Sequence, residues 1–220
     1  MTPTQDQVLA GQAVYTSKTL SLYDFIVLGI SNRYIWKCPT PRIEAHYNAH
    51  VTANHLDVGV GSGYFPDHCQ FPTATPRVAL MDMNDSTLVY ASERIARYSP
   101  ETYRQNVLEP VTAVIKPFDS LGINYLFHCV PGKISEKAIA FDHLIPLMNS
   151  GATVFGSTIL QGDVPRNWMA KKLMGFYNKK GILSNSEDTL FELKHALEQR
   201  FDKVTLEVQG CVALFSAKVR

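Results

Sequence analysis

Hydrophobic positions along this chain change their spacing from one stretch to the next, and each change marks an element. From about residue 54, short β-rich runs alternate with helical patterns. HLDVGV at His55–Val60 reads as a strand running into a glycine cluster, and Tyr64–Cys69 opens a helix-like segment. RVALM at Arg77–Met81 is a second strand, closed by Asp82, and Asn84 is a good N-cap for a helix over Ser86–Tyr98. Leu121–Phe127 reads as a buried strand. Ile134, Ala138, Phe141, Ile145 and Met148 then recur at helical spacing as one apolar stripe, and GATVFGS at Gly151–Ser157 is the next strand. Ser184 and Glu187 are spaced as a capping box ahead of a helix with Leu190, Leu193, Leu197 and Phe201 on one face. Lys203–Val208 and Cys211–Val219, joined at Gln209-Gly210, read as a hairpin.

Alternating β and α units predict an α/β fold, a mostly parallel sheet with helices on both faces. The final hairpin adds an antiparallel strand at or near one edge. The first 50 residues stand apart from this alternation. Leu20, Tyr23, Val27, Ile30 and Tyr34 form one helical stripe, yet Leu22, Phe25 and Ile26 lie off it, so the segment is apolar on nearly all sides. It reads equally as an ordinary packed helix and as a cover over a pocket.

Composition narrows the functional classes. The 220 residues suit a single domain, with residues 1–50 as helical cover and 51–220 as α/β core. With 21 Lys+Arg against 20 Asp+Glu, the net charge is +1, and no diffuse attraction to nucleic acid or anionic membrane is expected. Cys38, Cys69, Cys129 and Cys211 are scattered without a C-x-x-C pair, as in reduced intracellular proteins. No secretory signal is evident, and the longest early apolar run, Phe25–Ile30, is far below the roughly 20 residues that span a bilayer. A cytoplasmic location is expected. Monomer and homodimer both stay open.

The informative stretch is DVGVGSG at Asp57–Gly63, directly after a strand. Glycines there allow positive φ and close approach of backbone to a ligand. A G-x-G-x-x-G dinucleotide fingerprint counted from Gly59 fails at its third glycine, where Tyr64 stands. Asp57, just before the first glycine, suits an ammonium better than a pyrophosphate, which it would repel. Asp82, ending the next strand, can accept hydrogen bonds from both hydroxyls of a ribose. Together the two acids specify a ligand with an amino-acid end and a nucleoside end.

On these residues the chain resembles the class I, Rossmann-like S-adenosylmethionine-dependent methyltransferases, over about residues 50–220. DVGVGSG is similar to the family's glycine loop, and Asp82-Met83 to its ribose- and adenine-holding pair. Asn106-Val107 stands where the family usually carries an Asp-apolar pair. The resemblance implies a seven-stranded sheet with an antiparallel seventh strand, and S-adenosylmethionine as cofactor with S-adenosylhomocysteine as product. It also implies Asp57, Gly59, Gly61, Gly63, Asp82, Met83, Asn106 and Val107 as cofactor-binding positions.

The acceptor chemistry is read more thinly. His128, in HCVPG after the fourth strand, is the leading base or substrate contact, because ligands in such sheets gather beyond the strand tips. Tyr15 and Asp24 are further catalytic candidates from the cover, and Tyr23, Trp36 and Trp168 are candidate substrate contacts. His46 and His50 in HYNAH would share a helix face, but Tyr47 replaces the glutamate a metalloprotease needs, so no metal is expected and both read as surface residues. RNWMAKKLMGFYNKK at 166–180 reads as a helix whose apolar side closes a small-molecule pocket. The expected function is methyl transfer to a small apolar or aromatic metabolite. A non-methylating reaction on the same cofactor site (elimination or rearrangement) and a non-catalytic partner subunit remain the alternatives.

Overall fold

The computed structural model describes residues 24–220, and six of its strands form at the alternating runs while a seventh, at Glu101–Arg104, is not among them. The described residues open with helix α1 (Asp24–Ile35) and α2 (Thr40–His50), then β1 (Asn54–Val58), α3 (Tyr64–His68), β2 (Arg77–Asp82), α4 (Asp85–Arg94) and β3 (Glu101–Arg104). β4 (Phe118–Asn124), α5 (Ile134–Lys137), α6 (Ile139–Leu144), β5 (Met148–Ile159) and α7 (Trp168–Lys179) follow. The chain closes with α8 (Leu190–Glu198), β6 (Asp202–Gln209) and β7 (Val212–Lys218). The seven strands lie in the order β3-β2-β1-β4-β5-β7-β6. β1 to β5 are parallel, and β7 runs antiparallel between β5 and β6. The strand order reverses between β1 and β4, which opens a crevice beyond their C-terminal ends.

Local chemistry explains the boundaries. Asn84 caps α4 as expected, its side chain accepting from Ser86 N at 2.9 Å. Pro41, in the first turn of α2, gives up an N–H that the helix would not have used. α8 is capped by Thr189, which accepts from Glu192 N, rather than by the Ser184–Glu187 pair. Ser184 instead lends its N–H to the His128 carbonyl at 2.7 Å.

Three other expectations are corrected. β4 ends at Asn124, before the expected Phe127, because Tyr125 turns left-handed with φ at 58°. The Ile134–Met148 stripe is buried but not one helix; α5, α6 and a short tight turn share it, and Pro146 lies in that last turn. α1 has π-type turns, wider than α-helical ones, and buries Leu28, Ser31 and Asn32, with Trp36 buried just past its end. Ile30 and Tyr34, expected on the buried stripe, are 42% and 53% exposed.

One face of the sheet packs on α5, α6 and α8 through Phe127, Phe141, Leu197, Phe201 and Phe215. On the other face α2 lays Tyr47 against Phe155, and Leu28 and Trp36 pack with Ile43, Met174 and Val212. Among the described residues no helix is long and apolar enough to cross a membrane.

Candidate functional site

A cleft opens where the strand order reverses, beyond the ends of β1, β2 and β4. Asp57, Gly59, Val60, Gly61 and Ser62 line its floor. Asp82, Met83, Asn106, Val107 and Leu108 line one end, and Leu28, Tyr64, Phe65, Tyr125, Leu126 and Val130 the other. The glycine loop is held by Gly59 N on the Met81 carbonyl and Gly63 N on the Val60 carbonyl, each at 2.8 Å. At Gly59, φ is 72° and an added Cβ would meet Leu126 at 2.8 Å. At Gly61, φ is 53° and an added Cβ would meet nothing within 4 Å. That open backbone lets a ligand approach closely.

The two carboxylates sit in different surroundings. Asp82 Oδ1 accepts from Asn84 N at 2.9 Å. Burial pushes its pKa up to about 6, against the opposing pull of backbone N–H groups of Asn84, Met83, Val60 and Gly61. Asp57 is buried, and Tyr47 donates its phenol to Oδ2 at 2.7 Å. Burial, and then the Asp57 charge, hold the Tyr47 pKa well above the ordinary phenol value, so it stays a donor.

The far end of the cleft is mainly apolar, with its tyrosine hydroxyls tied down. Tyr125 donates to Asn32 Oδ1 at 2.8 Å, joining the strand-end loop to α1. Tyr64 donates to Glu44 at 2.6 Å, and Arg94 lies over its ring. Asn124 accepts from Ser157 Oγ at 2.9 Å through Oδ1, while its buried Nδ2 has no hydrogen-bond partner among the described residues.

Of the expected positions, Asp57, Gly59, Gly61, Asp82, Met83, Asn106 and Val107 line this one cleft. The Asn106 side chain is engaged locally, with Leu108 N and Glu109. Gly63 is not among the lining residues, and its missing Cβ makes room for Ala91 of α4 at 3.0 Å.

His128 is corrected too. Its ring is buried outside the cleft lining, and Nδ1 accepts from Ile159 N at 3.2 Å. Burial, with Lys137 nearby, drives its pKa down to about 3. An imidazole with Nδ1 taken by a backbone N–H carries its proton on Nε2 and has no lone pair left to act as a base. Asp24 is likewise committed, to Ser62 Oγ and to Arg94 at 2.5 Å, and latches α1 to the glycine loop.

Trp36 is 3% exposed within a packed cluster, and Trp168 is 72% exposed at the start of α7; neither lines the cleft. α7 buries Ala170 and Met174 against that cluster rather than closing the cleft. His46 is half-buried, bonds Phe215 O at 2.9 Å and has a pKa near 4 through burial, so it is not a surface residue. Tyr15 and Tyr23 lie outside the described residues.

Sequence reasoning missed Leu28, Ser62, Phe65, Asn124 and Tyr125 in the cleft and Tyr47 behind it. Ser62 was within reach, since it sits inside the glycine motif. The residues present suit a ligand with a cationic amine and a ribose. Asp57 on the floor and Asp82 at one end each offer an acceptor, and Gly61 leaves open space beside the floor.

No protein-family model matches the chain. It is 38% identical over 211 residues to the demethylluteothin O-methyltransferase of Streptomyces thioluteus, covering 96% of this chain and 92% of that one. It is 32% identical over 219 residues to the physcion biosynthesis cluster O-methyltransferase of Aspergillus chevalieri, covering 99% and 96%. Among solved structures its fold is similar to the DhpI-SAH complex, with a TM-score of 0.69 at 12% identity and 98% of each chain covered.

Proposed function

Because the chain belongs to the class I, Rossmann-like S-adenosylmethionine-dependent methyltransferases, we propose that its cleft presents the methyl group of that cofactor to an oxygen of a small, apolar or aromatic metabolite. The observation that carries this reading is the pair of acids, Asp57 and Asp82, on adjacent parallel strands either side of a glycine loop left open at Gly61. Asp82 accepts from the two ribose hydroxyls, and Asp57 from the amino group. Met83, Asn106, Val107 and Leu108 form the walls for the adenine. Gly59 and Gly61 let the backbone come close to the ligand between its two ends.

The bound sulfonium supplies an activated methyl group. The protein's work is to hold the acceptor in line and keep water out. Leu28, Phe65, Tyr125, Leu126 and Val130 give that end of the cleft an apolar wall. Orientation of this kind can supply up to about 7–11 kcal/mol of a barrier, so a strong base is not required of the chain. The names of the demethylluteothin and physcion-cluster O-methyltransferases among the relatives support a small acceptor methylated on oxygen.

Calorimetric titration with S-adenosylmethionine, S-adenosylhomocysteine and NAD(H), followed by incubation with a panel of hydroxylated aromatic metabolites, tests the reading. The expected result is binding of the two sulfur compounds and an acceptor heavier by one methyl. Binding of NAD(H) alone, or turnover of the cofactor without a methylated product, would overturn it.

A further inference from the structure

Behind Asp57 lies a set of buried polar groups that no part of the proposed chemistry touches directly. Tyr47 Oη is 2.7 Å from Asp57 Oδ2 and 2.8 Å from His55 Nε2. His55 Nδ1 is 2.8 Å from Ser120 Oγ, which also takes the Thr52 N–H at 3.0 Å. Tyr47, His55 and Ser120 are essentially inaccessible to solvent.

The direction of these bonds follows from the carboxylate end. An ionised carboxylate only accepts, so Tyr47 must donate to it. The Tyr47 oxygen is then an acceptor for His55 Nε2–H, and the Nδ1 lone pair takes the Ser120 hydroxyl hydrogen. From Ser120 through His55 and Tyr47 the hydrogens then point toward Asp57, with the Thr52 hydroxyl also 2.9 Å from Ser120 Oγ, and each bond polarises the next. The rings are also clamped in place. His55 stacks on Phe155 at 5.8 Å, and Tyr47 meets the same ring edge-on at 5.1 Å. Gly122 leaves just enough space beside them, since an added Cβ would stand 3.2 Å from His55 and 3.4 Å from Asp57 Oδ2.

We propose that Tyr47 and His55 are positioning residues for the amino end of S-adenosylmethionine, acting through Asp57 at the head of a one-way hydrogen-bond relay from Ser120. The inference rests on the cofactor reading above. Tyr47 engages one carboxylate oxygen and fixes the carboxylate plane, which leaves the other oxygen to meet an ammonium from the cleft. A merely structural relay would support the fold without distinguishing ligands that have the amine from ligands that lack it.

The test is calorimetry of S-adenosylhomocysteine and its desamino analogue with the wild type, Tyr47→Phe and Ser120→Ala. In the wild type, S-adenosylhomocysteine should bind more tightly than the analogue. Tyr47→Phe should weaken S-adenosylhomocysteine by about 3- to 30-fold while moving the analogue by less than about 2-fold. Ser120→Ala, one step further from the ligand, should shift the ratio in the same direction by less, and serves if Tyr47→Phe does not fold. Equal losses for both ligands, or an unchanged ratio, would overturn the relay while leaving the cofactor reading intact. A wild type that binds neither ligand would overturn both.

Discussion

Arg94 Nη1 stands 2.5 Å from Asp24 Oδ2, so a cation on α4 holds the first turn of α1 against the glycine loop. The same guanidinium reaches the Ser62 carbonyl at 3.2 Å and Asp67 at 2.8 Å. Arg94→Ala should therefore lower stability by about 1–3 kcal/mol and weaken cofactor binding several-fold, read by thermal unfolding and calorimetry. Arg94→Lys should restore little, because an ammonium cannot serve three partners in a planar fork. Wild-type affinity in Arg94→Ala would detach the latch from cofactor binding.

Asp82 gives a pH dependence with two opposite signs. Its folded pKa of about 6 lies above the unfolded carboxylate value, so the native state holds its proton more tightly. Without ligand, this group adds stability as the pH falls from about 6 to about 4 and penalises folding above that window. Ribose hydroxyls donate to the ionised form, so affinity for S-adenosylhomocysteine should instead fall as pH drops below about 6, by up to about tenfold per unit. Asp82→Asn should flatten that profile, stabilise the ligand-free protein at neutral pH by about 1–3 kcal/mol, and weaken binding. A profile unchanged by the substitution would remove Asp82 from the ribose.

Two glycines separate binding from folding. Gly59→Ala places a methyl group 2.8 Å from Leu126 at a left-handed backbone position, and should cost about 2–4 kcal/mol of stability. Gly61→Ala meets no neighbour within 4 Å, so only the backbone cost of about 1–2 kcal/mol applies. Its methyl group stands in the cleft's open space, and cofactor affinity should drop by about tenfold or more. Chemical denaturation and calorimetry on both variants would show whether the two effects part in this way.

Lys137 and Asp188 form an ion pair at 2.6 Å with both side chains fully buried. Burial lowers the lysine pKa and raises that of the aspartate to about 6, which marks the pair as costly to keep. Lys137 also binds the Ser184 and Val130 carbonyls, and Val130 lines the cleft. Lys137→Met alone should destabilise by about 3–5 kcal/mol through the stranded carboxylate. Adding Asp188→Leu should recover much of that loss, while the KM for the acceptor stays raised because the Val130 wall has lost its anchor. Recovery of both stability and KM would limit the pair to a packing role.

The legible part of the site is the part that local backbone chemistry dictates. Gly59 and Gly61 must be glycine because their φ angles are positive at a strand end, and Asp57 and Asp82 are read from their places beside that turn. His128 misled because its role depends on the Ile159 N–H of a neighbouring strand, a partner fixed by β4–β5 register and invisible to local pattern. Trp36 misled similarly: its carbonyl accepts from Cys211 N, across nearly the whole chain. Tyr47 reads only as standing where a metal site would need glutamate, since the α2 sequence gives no hint of which face would meet Phe155. The mostly parallel sheet with an antiparallel strand near one edge was legible, but its strand order and β3 were not, and the end of β4 was placed late because apolar residues continue through the left-handed Tyr125.

His128 offers the last prediction, because its geometry opposes the role its position suggests. With Nδ1 accepting from Ile159 N and its pKa near 3, the ring neither takes up a proton near neutral pH nor offers a free lone pair. His128→Ala should strand a buried N–H and cost about 1–3 kcal/mol of stability. His128→Asn, whose amide oxygen can replace the Nδ1 acceptor, should recover part of that loss. Turnover on the identified acceptor should stay within a few-fold of wild type in His128→Asn, with an unchanged pH–rate profile near neutrality. A loss of about 100-fold or more with normal stability, or the disappearance of an inflection near neutral pH, would return this histidine to the reacting centre.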